Sequence, residues 1–98
     1  MSVPANEIIY DSDFVKDAHR LPMKLQDKLA DLIEILRNNP FDSLLHTKPL
    51  SVPLQGIFSF RISRDYRAGF KFHPNHTIRI LAADRRDKIY KRLRQKMA

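Results

Sequence analysis

The 98-residue sequence has no cysteine, only two glycines, and no apolar run approaching the length of a membrane span. The first absence excludes disulfides and thiolate metal ligation. With only Gly56 and Gly69, the chain cannot supply a glycine-rich phosphate loop. His19, His46, His73 and His76 show no recognisable metal-ligand spacing, so neither a metal nor a small-molecule cofactor is expected. The start, Met-Ser-Val-Pro-Ala-Asn-Glu, has no basic region followed by an apolar one, and a cytoplasmic protein without membrane contact is expected. The length suits one domain spanning residues 1–98, with a modest core. Acidic residues are scarce in one part of the chain only. Residues 1–60 carry six Lys/Arg and eight Asp/Glu, a balance of −2; residues 61–98 carry twelve and three, a balance of +9. So uneven a placement points to nucleic acid, an acidic protein partner, or both.

What is present centres on Gln55–Tyr90, where three runs alternate with period two. Phe58, Phe60 and Ile62 share one face of the first run, with Ile57, Ser59, Arg61 and Ser63 on the other. In the second, Tyr66, Ala68, Phe70 and Phe72 oppose Arg67, Gly69 and Lys71. In the third, Ile78, Ile80 and Ala82 oppose Arg79, Leu81 and Ala83. Pairing the apolar faces predicts the register, because a slip of one residue would put phenylalanines in water. Arg61 then lies across from Arg67, and Lys71 across from Arg79, on the face away from the core. Like charges opposed across strands cost up to about 1 kcal/mol per pair. Two such pairs, with no acidic residue among them, predict a face that meets a polyanion. Ordinary solvated arginines, splayed apart on long stems, are the alternative reading.

The remaining elements follow from helical spacing and turn chemistry. Glu7–Asp11 is β-prone and predicted to join the sheet. Ser12 reads as the N-cap of a short helix carrying Phe14, Ala18 and Leu21 on one side, and Pro22 stops it. Leu25, Leu29, Leu32, Ile33 and Leu36 predict a second helix, ended by Asn38-Asn39-Pro40. The two helices are expected as a hairpin on the Phe58/Phe60/Phe70/Phe72 face. Residues 41–54, with Pro49 and Pro53, read as a connecting loop with Leu44, Leu45, Leu50 and Leu54 tucked beneath it. Lys48 stands just before the sheet, within reach of the basic face. After Asp84 the tail is helix-competent, but Ile89 and Leu93 are its one apolar pair, which predicts weak or partner-dependent anchoring.

A basic face with a nearby tyrosine suits metal-independent phosphodiester chemistry on RNA. Attack by a ribose 2′-OH needs a proton acceptor, charge stabilisation on the phosphorane, and a proton donor for the leaving 5′-oxygen. Guanidinium groups clamp phosphate bidentately, and a tyrosine transfers a proton or stacks on a base.

The sequence resembles the RelE/ParE toxin superfamily of bacterial toxin–antitoxin systems. The resemblance is carried by F-V-K-D-A-H-R-L-P at Phe14–Pro22, N-N-P at Asn38–Pro40 and H-T-K-P-L at His46–Leu50. It continues through G-I-F-S-F-R-I-S-R-D-Y-R at Gly56–Arg67 and I-R-I-L-A-A-D-R-R-D-K-I-Y at Ile78–Tyr90. It implies a microbial-ribonuclease-like α+β fold: an N-terminal helical hairpin on a small antiparallel sheet, followed by a basic C-terminal helix. It also implies a small acidic antitoxin as partner and, in the RelE-like branch, mRNA cleavage in the ribosomal A site. By position, Arg67, Arg61 and Tyr90 match catalytic residues of the family, as does Arg86 or its neighbour Arg85. Lys48, Lys71 and Arg79 are the expected RNA-binding cations. RelE-like toxins often carry lysines on the strand where Phe58, Ser59 and Phe60 stand here, which leaves the general base unassigned. The ParE branch shares the fold and inhibits DNA gyrase without cleaving RNA, which is the alternative function.

Overall fold

The computed structural model describes residues 5–97. In chain order they form β1 (Glu7–Tyr10), α1 (Ser12–Arg20), α2 (Met23–Asn38), a 3-10 turn (Ser43–Leu45), β2 (Lys48–Pro49), β3 (Ile57–Arg61), β4 (Tyr66–His73), β5 (Thr77–Arg85) and α3 (Ile89–Met97). The strands make one sheet in the order β1-β5-β4-β3-β2, with β1 parallel to β5 and every other pair antiparallel. The expected α+β arrangement of helical hairpin, sheet and basic helix is borne out. Among the described residues, no helix is long and apolar enough to cross a membrane.

The hairpin forms where its spacing predicts. Leu29, Leu32 and Leu36 of α2 and Phe14 of α1 are buried against Phe60, Ile62, Phe70, Ile78 and Ile80 of the sheet. Pro22 is the N-cap of α2 and holds Leu21 before it in an extended conformation, so α1 ends at Arg20. The cap of α1 differs from expectation. Asp11 rather than Ser12 fills it, its carboxylate accepting the Asp13 N–H at 3.0 Å. An ionised acceptor at a helix N-terminus also meets the positive end of the helix dipole.

The register of β3, β4 and β5 matches the alternation near the turns: Arg61 faces Arg67, Phe58 faces Phe70, Lys71 faces Arg79 and Phe72 faces Ile78. A bulge then intervenes. Gly69 pairs with Ala82 but Phe70 pairs with Ile80, leaving Leu81 as an extra residue. The consequence corrects the reading of β5. Ala83, not Ala82, continues the face of Ile78 and Ile80 toward the hairpin, and Ala82 joins Leu81 on the opposite face.

Residues 41–54 are not all loop. Lys48–Pro49 adds a two-residue edge strand to β3, where the proline's missing N–H is tolerated. Leu45 and Leu54 are buried as expected, whereas Leu44 is 63% exposed. Gly56, at φ +88°, makes the left-handed step that turns the chain into β3.

The largest difference concerns the sheet's second face and the tail. Ile89 and Leu93 are fully buried, and with Leu54, Ile57, Leu81 and Ala82 they form a second apolar cluster. The expected weak anchoring of α3 is therefore corrected: its apolar pair packs over a sheet whose Gly69 lets Leu93 approach the backbone closely.

A basic, tyrosine-bearing face as the candidate active site

With α3 docked, the second face divides into two ends of opposite electrostatic character. Toward α1, cations meet carboxylates. Arg92 on α3 binds Asp17 at 2.8 Å and Asp84 at 3.2 Å, and Lys96 binds Asp11 and Asp13, each at 2.7 Å. Arg79 binds Asp11 at 3.2 Å. Desolvation works against the charge on Arg92, but its hydrogen bonds to Asp17 and Asp84 outweigh this and raise its pKa. Lys96 behaves likewise: burial disfavours its charge, and bonds to Asp11 and Asp13 raise its pKa. Burial tends to raise the Asp11 pKa, yet Lys96, the Asp13 N–H and Arg79 together bring it below the ordinary value. Lys96 lowers that of Asp13. Acidic residues thus do intersperse this face. They arrive from α1 and relieve the Lys71–Arg79 opposition.

At the other end cations gather without carboxylates. Among the described residues, no carboxylate lies within 4.0 Å of a charged nitrogen of Lys48, Arg61, Arg67, Arg86 or Arg94. Arg67 is the centre of this group. Its Nη1 donates to the carbonyls of Ser63, Arg64 and Tyr66, which folds the guanidinium against the β3–β4 loop. Burial holds its pKa below the ordinary value, and the charges of Arg61 and Arg86 push the same way, against Tyr90 and Asp65. Arg61, Arg86 and Tyr90 therefore each lie within electrostatic reach of Arg67.

The two tail arginines separate. The Arg86 amide donates to the Asp65 carbonyl at 2.8 Å, fastening it beside the loop that holds Arg67. Arg85, the last residue of β5, stands instead over the Tyr66 ring at 5.9 Å and 3.7 Å from Asp87, on the α1 side. Arg85 ends β5 on the Tyr66 side, and the turn that begins at Arg86 carries that residue to the β3–β4 loop.

Tyr90 is half-buried, and the Lys48 ammonium sits 5.6 Å from its ring centre. Leu50, Leu54 and Arg94 complete an open groove of about 300 Å³ beside the tyrosine. Arg94 escaped the sequence reading, although it lies one helical turn beyond Tyr90 on the same flank. Lys71 shares the outer face between Ile57 and Arg79 in the register, and Arg79 is tied to Asp11. The structure thus brings Lys48, Arg61, Arg67, Arg86 and Tyr90 to one end, and holds Arg79 and Arg85 apart from them. Among the described residues, no three His, Cys, Asp or Glu side chains converge as a metal ion requires. Such a constellation can bind phosphate oxygens, stabilise added negative charge, and offer a phenolic hydroxyl for proton transfer.

Set beside family models and curated protein sequences, the chain finds no match. Solved structures do match it. The toxin–antitoxin complex RelBE2 from Mycobacterium tuberculosis is similar at 25% identity and a TM-score of 0.72, over 87% of this chain and 95% of the other. The fold is that of the RelE/ParE toxins. An archaeal RelE–RelB complex from Pyrococcus horikoshii OT3 aligns at 20% identity and TM-score 0.72, over 84% and 96% of the two chains. A YoeB/ParE toxin from Agrobacterium tumefaciens aligns at 19% and 0.71, over 81% and 96%. The RelE/ParE resemblance read from the sequence is borne out, and the alignments cover nearly the whole of each toxin.

Proposed function

We propose that the protein is the toxin of a toxin–antitoxin module and acts as a ribosome-dependent mRNA endoribonuclease. The observation that carries this reading is the grouping of Arg61, Arg86 and Tyr90 within electrostatic reach of Arg67, with no carboxylate within 4.0 Å of the three guanidinium groups among the described residues. A 2′-OH attacks the adjacent phosphorus and releases its proton to solvent, the bond to the 5′-oxygen breaks as that oxygen takes up a proton, and a 2′,3′-cyclic phosphate results. Arg61, Arg67 and Arg86 hold the phosphate and stabilise the charge that builds on it, and Tyr90 transfers a proton or stacks on a neighbouring base. Lys48 supports Tyr90 from β2 and adds charge for the RNA backbone. No metal takes part in this scheme. A small acidic antitoxin fits the same cations, and two of the similar structures are toxin–antitoxin complexes.

Primer extension on a reporter mRNA after brief induction tests the proposal, with wild type beside Tyr90→Phe. Cuts inside translated codons that vanish in the variant are the expected result. Intact mRNA with arrested growth would transfer the assignment to gyrase inhibition of the ParE type.

A further inference from the structure

We infer that Asp17 and Arg92 are positioning residues for Tyr90, acting through the open edge of β5. The inference rests on the proposed role of Tyr90 in the reaction. Along β5, the last backbone bond toward the β1 side is the Asp11 N–H to the Ile80 carbonyl, at 3.0 Å. The bulge at Leu81 then turns Ala83 toward that unpaired edge. Its N–H donates to Asp17 Oδ2 at 3.0 Å, its carbonyl accepts from Arg92 Nη1 at 3.2 Å, and the two side chains meet at 2.8 Å. An ion pair thus does for Ala83 what a neighbouring strand would do. Asp17 is only 7% exposed, and Asp84 braces Arg92 from a third direction at 3.2 Å.

The consequence for α3 is rotational. Ile89 and Leu93 fix how close the helix lies to the sheet, and Tyr90 only borders their cluster, so the apolar contact by itself resists a roll about the helix axis weakly. Arg92 lies two residues from Tyr90, roughly 200° around the helix, so holding one flank sets the other. With side-chain tips roughly 5–6 Å from the axis, a roll of about 10° moves the tyrosine by about 1 Å. A displacement of that size in a reactive group costs up to about 100-fold in rate. Lys96, one turn further along the same flank, adds affinity for α1 at a greater distance from Tyr90.

The test compares Asp17→Asn, which keeps an acceptor for Ala83 but loses the ion pair, with Arg92→Lys, which keeps the charge but loses the guanidinium fork. Lys96→Gln serves as the reference for weakened docking alone. Two readouts are taken: single-turnover cleavage of mRNA on programmed ribosomes, and the NMR ring-current shift that Tyr90 imposes on the Lys48 ε-methylene. Asp17→Asn and Arg92→Lys are expected to lower kcat about 10- to 100-fold with KM unchanged. They should also abolish the Lys48 shift while contacts between Leu93 and Gly69 persist. Lys96→Gln should leave kcat and the shift alone. Unchanged kcat in both pair variants, or loss of the Leu93–Gly69 contacts along with activity, would overturn the proposal. A wild type that cleaves no RNA, yet loses the Lys48 shift in both pair variants, would remove the ribonuclease reading and keep the positioning of Tyr90.

Discussion

Arg67 carries three backbone carbonyl contacts and two neighbouring cations, so its guanidinium is held in place and electrostatically unsatisfied at once. A group so arranged gains most when a phosphate takes on charge in the transition state. Arg67→Ala is expected to lower mRNA cleavage by about 100- to 1,000-fold, the loss typical of removing one preorganised charge-stabilising group. Arg86→Ala should follow it, whereas Arg85→Ala should stay near wild type, because Arg85 stands over Tyr66 on the α1 side. Cleavage rates of the three variants on one mRNA check the ordering, and equal losses for Arg85 and Arg86 would contradict it. The arginine types and the Arg61–Arg67 opposition were legible in the sequence. The choice between Arg85 and Arg86 was not, since it depends on where β5 ends and on the Asp65 carbonyl that receives the Arg86 amide.

At the scale of elements, α3 is held by a hydrophobic contact and an ionic one, and each can be tested alone. A methyl group placed on Gly69 would come within 2.7 Å of Leu93 Cδ1 and 2.8 Å of Cδ2. Gly69→Ala should therefore destabilise the fold by about 1–3 kcal/mol through overpacking, measured as a lower urea midpoint. The ionic contact is sensitive to pH. Asp11 and Asp13 titrate below their ordinary 3.8 when folded, so their contribution is complete above that value and is lost as pH falls through the lower folded value. Lys96 titrates above its ordinary 10.5, so its contribution holds below that pH and is lost as pH rises past it. Denaturation measured from pH 7 to pH 2 should show an acid loss of stability that is smaller in Lys96→Gln. The short Ile89/Leu93 pair suggested a loose tail because the carboxylates that clamp it lie on α1. The bulge was equally hidden: Leu81, Ala82 and Ala83 are all apolar, so alternation gives no sign of a skipped residue, and both faces of β5 are covered.

For the molecule as a whole, the net charge of +7 averages a balance of −2 over residues 1–60 with one of +9 over residues 61–98. Binding of single-stranded RNA should weaken with salt, log K falling by roughly 0.7 per phosphate neutralised for each tenfold increase in salt. Arg86→Ala should reduce that slope by one such increment, and Arg79→Ala should leave it unchanged, because Asp11 already neutralises Arg79. A salt titration of RNA affinity for the two variants decides this. Side-chain type and local period determined the leucine stripe of α2, the two faces of β3 and β4, the register that opposes Arg61 to Arg67, and the gathering of basic charge after residue 60. These are properties of neighbours along a strand or one turn apart on a helix, and a sequence displays them directly. Which cations remain free was decided only by the tertiary structure. Asp11, a partner of both Arg79 and Lys96, lies 68 and 85 residues from them in the chain, at the N-cap of a helix that must first fold across the edge of the sheet. No local period carries that information, and it is what separates an unpaired basic face from a clamp.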